Sequence, residues 1–298
     1  MQLKHTPVIP LTIPELVSKG ISLSVKRDDL QHSIVSGNKL FKLHYHLEHC
    51  KKSNIKTIVT FGGAYSNHLH ATAYAANKLG INTVAVIRGE QIIPLNATLK
   101  DCTDWGMILE PVTRKEYKEK TKSPVIQTIL DQYPDAYLIP EGGCDLLGVQ
   151  GASKILDGVD QSQFDYIVCA CGTGSTVSGV ISKSQPHITV IGMAVLKGAH
   201  WMESEVQAWL EKLNAPASGE HLAKWMINTD YHFGGYGKIK PALTDFIREI
   251  ESRYDLPLEP IYTGKSVYGI LDLAKKDYFP KGSRILFIHT GGLQGNRS

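Results

Sequence analysis

Seven short runs rich in β-branched and aliphatic residues punctuate the chain from end to end: ISLSVK, KTIVTF, NTVAVI, AYLIP, DYIVCAC, ITVIGMAV and RILFIHT. The stretches between them space their apolar residues at intervals near three and four. Short β-rich runs bounded by turn formers read as strands, and the longer spacing reads as helices with one apolar face. Regular alternation of the two predicts an α/β chain with mostly parallel sheets and helices on both faces. Several runs are apolar throughout, so their strands should be covered on both sides.

At 298 residues the chain suits one large α/β unit or two medium ones, and we expect two lobes. No Ser/Pro-rich linker marks a boundary. The helix opened at Lys39 and the loop EGGCDLLGVQGAS are the expected hinges. They give a discontinuous larger domain, 1–41 with 150–298, and a smaller domain, 42–149. A net charge of +3 without a dense Lys/Arg block argues against a nucleic-acid partner. No uncharged apolar stretch approaches membrane-spanning length, so no membrane partner is expected. Five scattered cysteines, and an N-terminal stretch interrupted by Pro7, Pro10 and Pro14, fit a cytoplasmic protein.

In open α/β sheets ligands bind beyond the carboxyl ends of strands, which singles out four loops: GGAYSNH, CGTGSTVSG, YTGKS and TGGLQG. In CGTGSTVSG, Gly172 and Gly174 let backbone amides crowd together at a helix start while Ser175 and Thr176 add hydroxyl donors, a combination suited to a phosphate. The alternative is a tight turn with no ligand. The loop matches neither a Walker A sequence nor G-x-G-x-x-G, and YTGKS lacks the earlier glycine of a P-loop because Glu259 stands there. In GGAYSNH a strand runs through Gly62 and Gly63 and delivers Ser66, Asn67 and His68 to a helix start, where Ser or Asn could serve simply as a cap. Ahead of all these, Ser36, Gly37 and Asn38 form a turn-prone approach that sets Lys39 at a helix start.

His46, His49 and Cys50 share a helix face, but Leu43 and Leu47 beside them mark an ordinary amphipathic helix, and no metal is expected. Cys169 and Cys171 are expected as buried small residues on opposite sides of a strand, unpaired.

Taken in order, SGNKLFKL, GGAYSNHLHATA, CGTGSTVSG, YTGKS and HTGG resemble the pyridoxal-phosphate-dependent family that includes 1-aminocyclopropane-1-carboxylate deaminase and D-cysteine desulfhydrase. The resemblance covers nearly the whole chain. It implies the tryptophan-synthase-β-like fold (fold type II), with two open twisted sheets, a larger cofactor domain, a smaller mobile domain and a homodimer. It implies pyridoxal 5'-phosphate as cofactor and Lys39 as the lysine of the Schiff base. Thr173, Gly174, Ser175 and Thr176 resemble the phosphate cup, and Asn67 the partner of the ring hydroxyl. Ser66 and His68, with Asn67, resemble the clamp on the substrate carboxylate. Tyr236 and Tyr262 resemble the two active-site tyrosines.

Two departures bear on the reaction. The cyclopropane deaminases typically carry glutamate after the second tyrosine and leucine before the final glycine pair, whereas this chain has Thr263 and Thr290. Both resemble the D-cysteine desulfhydrase version and place a threonine against the pyridine nitrogen. The expected activity is therefore a PLP-dependent lyase on a small D-amino acid. Lys39 removes the α-proton, a β-substituent such as thiolate leaves with help from Tyr262 or Tyr236, and pyruvate, ammonia and sulfide result. The alternative within the family is deamination of the cyclopropane acid to 2-oxobutyrate and ammonia. A non-catalytic cofactor- or nucleotide-binding α/β protein is the remaining reading.

Overall fold

The computed structural model describes residues 1–90, 93–213 and 222–297. Ten strands form two sheets: β1 (Val8–Leu11), β2 (Ser22–Lys26), β3 (Thr57–Gly63), β4 (Asn82–Arg88), β5 (Met107–Val112), β6 (Tyr137–Ile139), β7 (Tyr166–Cys171), β8 (Thr189–Ala194), β9 (Lys224–Asn228) and β10 (Arg284–Ile288). The larger sheet runs β1-β2-β10-β7-β8-β9, and only the β1–β2 pair is antiparallel. The smaller runs β5-β4-β3-β6, parallel throughout. All seven sequence runs are strands, and the three others, β1, β5 and β9, are all edge strands.

The all-apolar runs are covered on both faces. In β7, for example, Val168 belongs to a core on one side of the larger sheet with Ile285 and Phe287, while Ile167, Cys169 and Cys171 belong to the core on the other side with Leu286 and Ile288. Cys169 and Cys171 thus share one face, contrary to expectation, because residues two apart on a strand point the same way. Both are free thiols.

The helix Asn38–Lys52 joins the two sheets. Leu40, Leu43, Leu47 and Cys50 pack with Ile58 and Ile139 of the smaller sheet, while Phe41 packs with Leu286 and Ile288 of the larger. The helix Leu146–Ser153 lies directly against it: a Cβ at Gly151 would stand 2.1 Å from the Phe41 carbonyl oxygen, so only glycine permits this approach. Further along helix Asn38–Lys52, His46 lies 2.9 Å from Tyr137 Oη and 3.1 Å from the Asp145 carboxylate. Among the described residues no helix is long and apolar enough to cross a membrane.

Candidate active site

The ends of β3, β7 and β10 converge with the start of helix Asn38–Lys52 on a cavity of about 310 Å³. Lys39 reaches it because of Gly37, whose φ of 63° and ψ of −147° are open to glycine alone. A Cβ there would sit 2.0 Å from the Thr290 carbonyl oxygen. The same crossing is pinned by Gly37 N donating to Asp28 O at 2.8 Å and Asn38 N to Thr290 O at 3.3 Å. Burial, reinforced by the charge of Lys42, pushes the Lys39 amine down to about 7. A large fraction is then neutral near physiological pH, the state an amine needs to act as nucleophile or base.

The phosphate-type loop follows β7. Gly174, left-handed at φ 80°, precedes helix Ser175–Lys183, which has no side-chain cap. Its first internal bond runs from Ser178 N to Gly174 O, so the amides of residues 175–177 have no acceptor within the helix. Thr173 and Ser175 hydroxyls lie 3.0 Å apart, and Asn38 Nδ2 donates to Thr176 Oγ1 at 2.9 Å. Lys42, only 1% exposed, donates from Nζ to Ser175 Oγ at 2.6 Å, its one hydrogen bond among the described residues. Burial lowers its affinity for a proton. A buried ammonium served by one neutral hydroxyl is costly unless an anion joins it. A phosphate group fits here: helix amides, the hydroxyl residues Thr173 and Thr176 and the under-partnered Lys42 converge on one end of the cavity.

At the end of β3, Ser66 caps helix Asn67–Asn77, accepting from Leu69 N at 3.2 Å. Asn67 Oδ1 accepts from Gln294 Nε2. His68 is buried, and Thr60 fixes its state. The single hydroxyl proton of Thr60 goes to Ile139 O at 2.8 Å, so the 2.9 Å contact with His68 Nε2 must be an imidazole N–H donating to Thr60 Oγ1. Nδ1 is left without a partner among the described residues. Burial and the charges of Lys39 and Lys42 hold the ring well below the usual histidine range. The side chain therefore offers the cavity a lone pair, not the proton that gripping a carboxylate needs.

On the opposite wall the rings of Tyr236 and Tyr262 meet edge to face at 6.1 Å. Burial, then the neighbouring Tyr236, raises Tyr262 well above the ordinary tyrosine value, so it is a proton donor at neutral pH. The lysine of YTGKS serves the structure instead. Buried Lys265 donates to the carbonyls of His232 and Gly235, each at 3.0 Å, tying down the loop that presents Tyr236. Glu259 is equally committed. Its carboxylate takes the amides of Ile261 (2.7 Å), Tyr262 (2.9 Å) and Thr263 (2.6 Å), capping helix Thr263–Lys275.

Of the residues marked in the sequence, Lys39, Ser66, Asn67, His68, Thr173, Gly174, Thr176, Tyr236, Tyr262 and Thr290 line this cavity. Ser175 lies behind the wall, on Lys42. Thr263 is also outside the lining, its hydroxyl bonded to Glu259 Oε1 at 3.0 Å. Sequence reasoning misses Lys42, Glu259, Lys265 and Gln294. Only Lys42 leaves a sequence signal, standing three residues after Lys39 and so on the same helix face.

Two largely parallel sheets, a buried lysine whose proton is held weakly and a phosphate-shaped helix start are features that suit an enzyme holding a phosphorylated aldehyde cofactor. The chain belongs to the pyridoxal-phosphate dependent enzyme family, whose model matches residues 1–291. It is 35% identical to a putative 1-aminocyclopropane-1-carboxylate deaminase of Pyrococcus furiosus, across 98% of this chain and 90% of that protein. It is 30% identical to the mitochondrial bifunctional D-cysteine desulfhydrase/1-aminocyclopropane-1-carboxylate deaminase of Arabidopsis thaliana, across 97% of this chain and 77% of that one. A crystal structure described as an ACC deaminase homologue superposes with a TM-score of 0.84 at 29% identity, covering 99% of this chain and 91% of the other.

Proposed function

We propose that this enzyme catalyses α,β-elimination on a small D-amino acid, releasing pyruvate and ammonia together with the β-substituent, with sulfide as the product from D-cysteine. The observation that carries this choice is that no uncommitted carboxylate lines the cavity among the described residues: Glu141 is paired with Lys120 at 2.7 Å, Glu259 is spent on three backbone amides, and Thr290 is part of the lining. Bound pyridoxal phosphate supplies an electron sink for the α-carbanion. A hydroxyl facing its ring nitrogen makes a shallower sink than a carboxylate, enough when a leaving group takes the negative charge itself.

Lys39 would hold the cofactor, and its amine in the neutral state would take the α-proton. Lys42 and the amides of residues 175–177 neutralise the phosphate. Ser66 and the backbone amides at the start of helix Asn67–Asn77 receive the substrate carboxylate, a role the His68 ring is not protonated to share. Tyr262, supported by Tyr236, protonates the departing group. Residues 42–149 act as the smaller lobe and close over the substrate to exclude water. The names of the relatives in Pyrococcus and Arabidopsis support ring opening of the cyclopropane acid as a second reading.

The test is a panel of D- and L-amino acids and the cyclopropane acid, scored for pyruvate, sulfide and 2-oxobutyrate. Pyruvate from D-cysteine or β-chloro-D-alanine is expected. 2-Oxobutyrate as the dominant product would overturn the elimination reading. Lys39→Ala should abolish both turnover and the visible absorbance of the bound cofactor.

A further inference from the structure

Arg88 ends β4 and stands in register with Gly63 at the end of β3. The two strands are parallel, so their carboxyl ends deliver Arg88 and the loop to Ser66 to the same edge of the smaller sheet. Gly63 makes room for the guanidinium. A Cβ there would stand 3.2 Å from Arg88 Nη2 and 3.7 Å from Nε, so the arginine head lies across the bare end of β3. The Tyr117 ring supports it too, with its centroid 5.8 Å from the guanidinium carbon. Lys120 sits over the same ring at 3.3 Å, and it is Lys120 that pairs with Glu141, at 2.7 Å. Among the described residues Arg88 has the Tyr117 ring but no hydrogen bond or ion pair, so its fork of N–H donors is unspent.

Arg88 also marks a boundary. Together with Gly63 it lines both the active-site cavity and a neighbouring cavity of about 610 Å³. The second space has apolar wall at Leu99 and Leu109 and an excess of positive charge, Arg88 and Arg114 against Glu90. A thiolate leaving from D-cysteine would use none of it.

We propose that Arg88 is a specificity-determining residue and that the second cavity is the subsite for the far end of the substrate, a β-substituent that ends in a carboxylate. This deepens the proposed function and rests on it. Tyr117 is within electrostatic reach of both Arg88 and Tyr236, which brings the guanidinium close to the tyrosine wall where the β-substituent departs. A short tail beyond the leaving atom lays its carbons against the apolar wall and its carboxylate on the fork of Arg88. With S-carboxymethyl-D-cysteine the α C–H and Cβ–S bonds break, and Lys39 takes the proton. The sulfur leaves with the bonding pair and is protonated by Tyr262. One water completes the products: pyruvate, ammonia and mercaptoacetate.

The experiment compares that substrate with its amide, S-carbamoylmethyl-D-cysteine, on the holoenzyme. The two match in shape and differ in charge. In wild type kcat/KM for pyruvate release should favour the carboxylate about tenfold, the lower end for a charge-assisted hydrogen bond because Arg88 is exposed. Arg88→Gln should bring the ratio near one, Arg88→Lys should keep part of it, and Arg88→Glu should invert it. Each ratio is taken within one protein, so a general loss of activity leaves it unmoved, as would a role for Arg88 on the α-carboxylate that both substrates share. Calorimetry with the unreactive 3-(carboxymethylthio)propanoate and its carbamoylmethyl counterpart reads the same preference without turnover. A calorimetric preference within about threefold of one in wild type, no binding of the diacid, or a preference that Arg88→Glu leaves unchanged overturns the inference. A preference that holds by calorimetry while no D-amino acid yields pyruvate would sink the elimination reading and leave the anionic subsite standing.

Discussion

Replacing Lys42 by methionine should move cofactor affinity and protein stability in opposite directions. The side chain is 1% exposed and its ammonium has Ser175 Oγ, at 2.6 Å, as its hydrogen-bond partner. Methionine keeps much of the length and apolar stem while removing the charge. Loss of a charge-assisted contact to phosphate costs about 2 to 3 kcal/mol, or roughly 30- to 150-fold in dissociation constant. In the stripped protein the same ammonium is buried without an anion, and an apolar replacement there is neutral or stabilising by about 1 kcal/mol or more. The assay is a titration of hydroxylamine-stripped protein with pyridoxal phosphate, paired with urea unfolding of the stripped form. Affinity within about fivefold of wild type would refute the argument, because a surface ion pair would give no more than that. So would a stripped variant clearly less stable than wild type.

The stripped wild-type protein should also gain stability as pH rises from about 7 toward the ordinary lysine value of 10.5, because Lys39 binds its proton less tightly folded than unfolded across that window. Rates of cofactor recombination should climb through the same lower limit, roughly tenfold from pH 6 to pH 8, as stopped-flow absorbance can measure. Lys265→Met leaves the carbonyls of His232 and Gly235 without their shared donor. It should cost about 1 to 3 kcal/mol in urea melts and lower kcat through the Tyr236 loop, with the cofactor spectrum retained. Thr290→Val should depress kcat about tenfold. Thr263→Val should instead lower unfolding stability and leave the rate nearly unchanged, since its hydroxyl serves Glu259 outside the cavity.

Apart from the short edge strand β6, the strands legible in the sequence are those whose apolar content is dictated by burial on both faces. The three that escape are sheet edges: β1 contains Pro10, β5 contains Glu110 and Pro111, and β9 begins with Lys224. Edges tolerate proline and charge because one side has no ladder to feed, so they lack the pattern by which central strands are found. The cavity lining is legible for a related reason, since glycines and small hydroxyls next to strand ends leave a local trace. Lys265, Glu259 and Gln294 leave none. Each acts through a partner distant in the chain or through backbone amides, and such a contact exists only once the topology brings the two together. His68 shows a further limit: its protonation is set by Thr60, whose own proton is claimed by a carbonyl on β6.

The helix Asn38–Lys52 and the turn after β10 lock together at Gly37 and Thr290, so Lys39, the hydroxyl at 290 and the loop after β7 form one rigid frame on the larger sheet. Ser66 and the helix it caps belong to the smaller sheet. In the proposed closure of the smaller lobe, the coenzyme would stay put and the amino acid would be the passenger, carried by its carboxylate toward a stationary ring. On that proposal a poor substrate would be rejected by incomplete docking of one half, with no disturbance to the anchored aldehyde.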